Sequence, residues 1–149
     1  MPRFAARAAL LTLLVFLAVP AGARAQTLVD GSGAAAEVPK PSILLFWAIW
    51  CAPCREETDN LAALNRAAGP MPVIVVPLDS DRRTRRALAD VDPRQLRFVR
   101  TGAIAWMQRW TDAVGLPAAV AIDKDGKRCA IKFGGVTTAD LAAWRDRCR

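Results

Sequence analysis

The 149-residue chain contains no histidine. That removes a Ser-His-Asp triad, a Cys-His pair and any histidine-based metal site from consideration. Methionine is scarce, with only Met71 and Met107 beyond the first residue. Thioether sulfur for a soft-metal site is thus thinly supplied, and neither methionine is near a cysteine in sequence. No apolar run reaches the roughly 20 residues a comfortable membrane span needs. The most extended, Ala8 to Val19, falls short of it. There is no internal repeat and no second domain, as the length alone suggests. The four cysteines, Cys51, Cys54, Cys129 and Cys148, do not form two knuckles of a zinc site, because the last two are far apart.

What the first residues do hold is a pattern of export. Arg3 and Arg7 precede the apolar run, Pro20 follows it, and Ala23-Arg24-Ala25 comes before Gln26. A basic start, a short apolar stretch and an A-x-A site make a secretory signal peptide over residues 1–25. An uncleaved anchor is the rival reading, disfavoured by the length of the run. Gln26 is not a cysteine, so it offers no thiol to a lipid. Cleavage after Ala25 leaves 124 of the 149 residues, and losing Arg3, Arg7 and Arg24 lowers the formal net charge from +7 to +4. Nucleic-acid binding loses its force with that charge, and no membrane anchor remains. The expected location is the periplasm, an oxidising compartment in which disulfides persist. The basic excess left behind, Arg82, Arg83, Arg85, Arg86, Arg94, Arg97 and Arg100, reads as a solvated helix face, with an acidic partner the lesser reading.

The chemistry concentrates in Phe46-Trp47-Ala48-Ile49-Trp50-Cys51-Ala52-Pro53-Cys54-Arg55-Glu56-Glu57. An apolar, strand-like run ends in two cysteines three apart, and a helical segment follows. In the first turn of a helix, positions i and i+3 share a face and lie within disulfide reach. The free N–H groups and partial positive charge of a helix N-terminus favour thiolate over thiol. Pro53 fits the first turn, where its missing N–H costs nothing. Zinc binding would need two further ligands. An inert bridge would close too small a loop to stabilise much. Redox exchange is therefore the favoured reading, with Cys51 attacking and Cys54, a turn inside, resolving.

Residues 26–41, rich in Gly, Ala and Pro, read as a flexible leader or edge segment ahead of one domain over 42–149. Ile43 to Trp47 and Val73 to Val76 read as buried strands, joined by a helix from about Ala52 to Ala67 that carries Leu61 and Leu64 inward and stops at Gly69-Pro70. That is a right-handed βαβ unit. Ser80 or Asp81 caps a short helix to about Ala89, and Thr101 caps another over Gly102 to Trp110, with Ile104 and Met107 on one side and Trp106 and Trp110 in core packing. Ala118 to Ile122 and Arg128 to Phe133 flank Asp123-Lys124-Asp125-Gly126-Lys127, an antiparallel hairpin that puts Cys129, Ile131 and Phe133 on one face. Thr137 and Asp140 resemble a capping box before a last helix, with Leu141, Trp144 and Cys148 inward. The four cysteines allow three pairings. A strand and helix adjacent in sequence favour Cys129 with Cys148 as a structural disulfide; two buried free thiols are the alternative.

The segment 46–54 resembles the active-site segment of thioredoxin-fold proteins, and Arg55-Glu56-Glu57 resembles the TlpA-like branch of exported thiol–disulfide reductases. The usual pattern of that branch is W-C-x-P-C-R-x-E-x-P-x-L. Leu61 falls on its leucine, and Asp59 stands where it has a second proline. The N-terminal hairpin of that family is abbreviated here. The resemblance implies an α/β thioredoxin-like fold, a mixed central sheet with helices on both faces. It implies that Pro117, after Gly115-Leu116, is the cis proline facing the cysteines, against the plainer reading of a strand-opening proline. Trp50, Ala52, Pro53 and Leu116 would contact substrate, Leu116 through its backbone. Glu57 would assist proton movement near Cys54, the alternative being an exposed first-turn glutamate helped by the helix dipole. Leu45 occupies the position of the buried aspartate of cytoplasmic thioredoxins, which strengthens the case for Glu57. The implied activity is reduction of protein disulfides without cofactor or metal, by a monomer served by a redox partner such as a membrane electron donor, in cytochrome c maturation among other settings. The alternatives are a Cu(I)-binding thiol module and an oxidase that introduces disulfides.

Overall fold

Three runs of β-branched and aliphatic residues, too apolar to face water on either side, lie buried along their whole length. They form β2 (Ser42–Trp47), β3 (Val73–Pro77) and β5 (Ala118–Ile122). The computed structural model describes residues 28–112 and 115–148; the expected signal segment lies outside the described residues. With β6 (Arg128–Phe133) these strands make a four-stranded sheet in the order β3-β2-β5-β6. β2 pairs parallel to β3 and antiparallel to β5, and β5 antiparallel to β6. A smaller antiparallel pair joins β1 (Leu28–Val29) to β4 (Phe98–Val99).

The two-residue period divides the core into two layers. Ile43, Leu45, Trp47, Val73, Val75, Ala119 and Ala121 face one layer, shared with α1 (Ala52–Asp59), α2 (Leu61–Ala68) and α5 (Thr138–Arg147). Leu44, Phe46, Ile74, Val76, Val120 and Ile122 face the other, against Trp106 and Met107 of α4 (Ala103–Thr111). Phe46 and Trp106 meet edge to face at 5.9 Å between ring centroids, and Trp106 meets Trp110 at 5.8 Å. Helices therefore cover both faces of a mixed sheet.

Several elements depart from the sequence reading. The first long helix is two, broken at Asn60, whose φ of −97° and ψ of 11° end α1 and begin α2. The break needs no proline at position 59. Thr58 turns its hydroxyl back to the Arg55 carbonyl at 2.8 Å, a contact that competes with helical geometry, and Asp59-Asn60 are poor helix formers. Asp81 caps α3 (Arg82–Ala87) by accepting the Thr84 N–H at 2.8 Å. Gly102, in the left-handed region at φ 70°, precedes α4, and Thr101 does not cap it. Ile104 is half exposed at 51% and does not share the buried side with Met107. Arg97 is no part of a solvated face: it is buried and donates to the carbonyls of Glu37, Arg94 and Leu96 at 2.6, 2.9 and 2.7 Å, tying residues 28–41 to the domain.

Candidate active site

The C-terminal end of β2 delivers the chain into α1 through Ala48-Ile49-Trp50. Cys51 is the N-cap of α1, in an extended conformation at φ −88° and ψ 97°. Its sulfur accepts the backbone N–H of Cys54 at 3.3 Å, so one of the unpaired donors of the helix start points at it. Pro53 lies in the first turn, where no N–H is missed. Cys51 and Cys54 are joined by a disulfide, their Cα atoms 5.3 Å apart. Cys51 retains 5% of its surface in solvent and Cys54 none. Trp50, Ala52 and Pro53 beside them are exposed, Trp50 to 73%.

Glu57 is one turn beyond Cys54 on the same face of α1 and is buried, so the exposed first-turn alternative does not describe it. Its Oε1 accepts the Val136 N–H at 2.8 Å, a bond that spans from α1 to the loop before α5. Burial raises its pKa above the ordinary carboxylate value, while that N–H and the charge of Lys132 pull it down. Leu45 is wholly buried in the same layer. Glu57 is the one buried carboxylate among the described residues.

Leu116–Pro117 is a cis peptide, and Pro117 is buried where β5 begins. The Pro117 carbonyl accepts the Gly134 N–H at 3.0 Å, which holds the end of β6 beside it. Gly135, at φ +95°, takes a conformation that other residues rarely adopt, and a Cβ there would lie 3.7 Å from Glu57 Oε1 and 3.9 Å from Pro117 Cγ. Glu57, Pro117 and Gly135 thus meet at one point. A cleft of about 370 Å³ runs over Glu57 and Gly135 from Pro53 to Lys132, Val136 and Thr137. Leu116 is half-buried between the two layers of the core.

Cys129 and Cys148 are bonded, their Cα atoms 5.7 Å apart, and the bridge ties β6 to the end of α5. Cys129 gets there by an irregularity. The β5–β6 register shifts at Ala121/Ile122, so Ile122 pairs with Arg128 and Ala121 with Ala130, leaving Cys129 as a bulged residue. The strict alternation expected for this strand fails there. Cys129 packs on the α5 side, whereas Ile131 and Phe133 are exposed, at 37% and 44%, opposite Val120 and Ala118 of the other layer. Sequence reasoning also missed Val136 and Gly135 as neighbours of Glu57. The Gly134-Gly135 pair directly after β6 is the available signal, since two adjacent glycines mark backbone that leaves the strand and can approach a neighbour closely.

No protein-family model matches the sequence, and no curated protein matches it. Solved structures do. The chain is similar to MTB dsbF in its mixed oxidized and reduced forms, at 16% identity and TM-score 0.64 over 83% of this chain and 94% of that one. It is similar to a secreted Mycobacterium tuberculosis disulfide oxidoreductase described as homologous to E. coli DsbE, at 18% identity and TM-score 0.61 over 80% and 93%. It is also similar to a thio-disulfide isomerase from Thermus thermophilus, at 24% identity and TM-score 0.61 over 78% and 87%. The fold is therefore that of thioredoxin. Within that fold the Cys51–Cys54 pair stands at the start of the helix that follows the central strand.

Proposed function

We propose that this chain is an exported thiol–disulfide oxidoreductase that reduces disulfides in protein substrates. The observation that carries the reading is the inequality of the two cysteines: Cys51 caps the helix with a donor on its sulfur and some surface in solvent, and Cys54 is sealed behind it. In the reduced protein the Cys51 thiolate attacks one sulfur of a substrate disulfide. That S–S bond breaks, and the substrate's other sulfur leaves as a thiolate that takes up a proton. Cys54 then loses its proton, with the buried Glu57 carboxylate as acceptor, and attacks Cys51 Sγ, releasing the second substrate thiol. Two electrons pass to the substrate, and the oxidised pair is restored by a dithiol redox partner such as a membrane electron donor. Trp50, Ala52, Pro53 and the Leu116 backbone contact the substrate, with Pro117 facing the cysteine pair. Disulfides of apocytochrome c or of heme-handling proteins are suitable substrates, and the similarity to a secreted disulfide oxidoreductase supports a periplasmic location for the monomer.

With dithiothreitol as electron source, the protein should accelerate insulin reduction, and Cys51→Ser should fall to the uncatalysed rate. Equal rates would reject the proposal. The potential of the Cys51–Cys54 pair sets direction: a value near that of thioredoxin, about −270 mV, fits a reductase, and one near about −120 mV would make the protein an oxidase.

A further inference from the structure

Four arginines, Arg82, Arg83, Arg85 and Arg86, crowd the six-residue α3, and they divide by use. Arg85 is structural: its guanidinium stacks 4.4 Å over the Phe98 ring and its Nε donates to the Ser80 carbonyl at 3.2 Å. Arg82, Arg83 and Arg86 are exposed and, with Ile49 and Ala87, line a cavity of about 320 Å³. Among the described residues no carboxylate forms a salt bridge with any of these three. The nearby acids are committed elsewhere. Asp81 caps the helix through the Thr84 N–H, with the Arg83 charge nearby; Asp79 accepts the Thr84 hydroxyl; and Asp90 lines a different cleft with Asn65 and Gln95. The cleft on the other side of Ala87, bounded by Ala52, Arg55, Glu56 and Asp59, has mixed charge, so the one-signed surface belongs to the α3 side.

Ile49 fixes where that surface lies. It is two residues before Cys51 and forms part of the cavity wall, so the arginines flank the loop across which a substrate must approach the sulfur. We propose that Arg82, Arg83 and Arg86, over the apolar floor of Ile49 and Ala87, dock an acidic segment flanking the disulfide of a protein substrate. This rests on the oxidoreductase reading above and names the substrate class for it. Three guanidiniums outside any salt bridge attract carboxylates and orient them by paired N–H donors, while the floor takes a neighbouring apolar side chain. Their sharing a cavity with Ile49, two residues before the reactive Cys51, favours a substrate segment over a membrane surface.

The test uses the mature protein, reduced and freed of reductant, in single-turnover reactions with two synthetic peptides. Both carry the same disulfide, flanked by Asp and Glu in one and by Lys in the other; a small uncharged disulfide is the reference. At low salt the acidic peptide should react about tenfold faster than the basic one, the yield of three exposed charge pairs, and the ratio should shrink as salt is added. In Arg82→Gln/Arg83→Gln/Arg86→Gln the ratio should fall to about one with the reference rate kept, and the single Arg86→Glu should lower it part of the way. Equal peptide rates in the unaltered protein, or a preference that survives in the triple variant, would overturn the docking surface while leaving the oxidoreductase intact. Failure of the reference reaction itself would strike the underlying function instead. Arginine-dependent binding to anionic vesicles together with equal peptide rates would assign these residues to a membrane surface and overturn the proposal.

Discussion

Cys51 sits where the start of α1 turns a free N–H toward its sulfur, and Cys54 sits where no solvent reaches. A thiolate at the first position is stabilised by that donor and by the helix dipole, and one at the second has to form against burial. Cys51 is accordingly expected to alkylate faster than Cys54 near neutral pH. Cys54→Ser should accumulate mixed disulfides on Cys51 when exposed to periplasmic extract, and Cys51→Ser should accumulate almost none, as read by non-reducing gels and mass spectrometry of the adducts. Equal trapping by both variants would reverse or dissolve the assignment of roles. Glu57 adds a pH signature. Burial raises its folded-state pKa above the unfolded value, so as pH rises the unfolded chain loses its proton first and stability falls until the folded carboxyl also ionises. Glu57→Gln keeps an oxygen for the Val136 N–H but has no charge to bury. It should therefore melt higher than the unaltered protein at neutral pH, with the gap closing as pH drops below the unfolded value. It should also resolve mixed disulfides more slowly, because the proton acceptor is gone. A gap that stayed constant across pH would mean that ionisation of Glu57 has no part in it.

At the scale of elements, much of this arrangement was legible in the chain because the elements are locally insistent. The strand at Ile43 to Trp47 is apolar without interruption, Gly69-Pro70 ends a helix, and Asp125-Gly126 turns a hairpin. The cysteine pair was legible for the same reason, since its spacing and its place before a helix are local facts. Features decided by long-range contacts were not. The pairing of Leu28–Val29 with Phe98–Val99 brings together residues some seventy positions apart, and nothing in two-residue strands announces a partner. Arg97 looked like one more surface arginine because its acceptors, the carbonyls of Glu37, Arg94 and Leu96, carry no side-chain signal. The bulge at Cys129 answers to the β5–β6 register, which a period-two reading assumes to be regular. That bulge turns Cys129 toward α5, and the bond to Cys148 closes a loop over a sequence separation of 19. By loop-closure entropy, replacing both with alanine should cost about 3 kcal/mol in urea unfolding. Insulin reduction by the folded variant should persist, since the Cys51–Cys54 pair is untouched. Loss of activity without loss of stability would show that the bridge takes part in the exchange. Thr137→Ala should cost less, about 1 kcal/mol, by removing the side chain that accepts the Asp140 N–H at 3.3 Å.

For the molecule as a whole, the sheet gathers its chemistry at one end. The C-terminal ends of β2 and β6 and the start of β5 lie together, as the pairs Phe46–Ala118 and Ala118–Phe133 record. Cys51, Pro117 and Gly134-Gly135 therefore share one rim, while the Cys129–Cys148 bridge fastens the outer strand to α5. Two bridges in so short a chain suit a compartment in which thiols are oxidised. Among the described residues no helix is long and apolar enough to cross a membrane. Independently of that, we propose from the sequence pattern alone that the apolar run Ala8 to Val19, behind Arg3 and Arg7 and ahead of Ala23-Arg24-Ala25, directs export and is removed. Protein recovered from the periplasm should begin at Gln26, carry a formal net charge of +4 in place of +7, and show both disulfides by intact mass after alkylation. A chain made in the cytosol without residues 1–25 and quenched with acid at lysis should show all 4 cysteines as free thiols, because the reducing pool there opposes both bridges. Recovery of the exported protein in the membrane fraction with Ala8 to Val19 still attached would make that run an anchor and defeat the prediction.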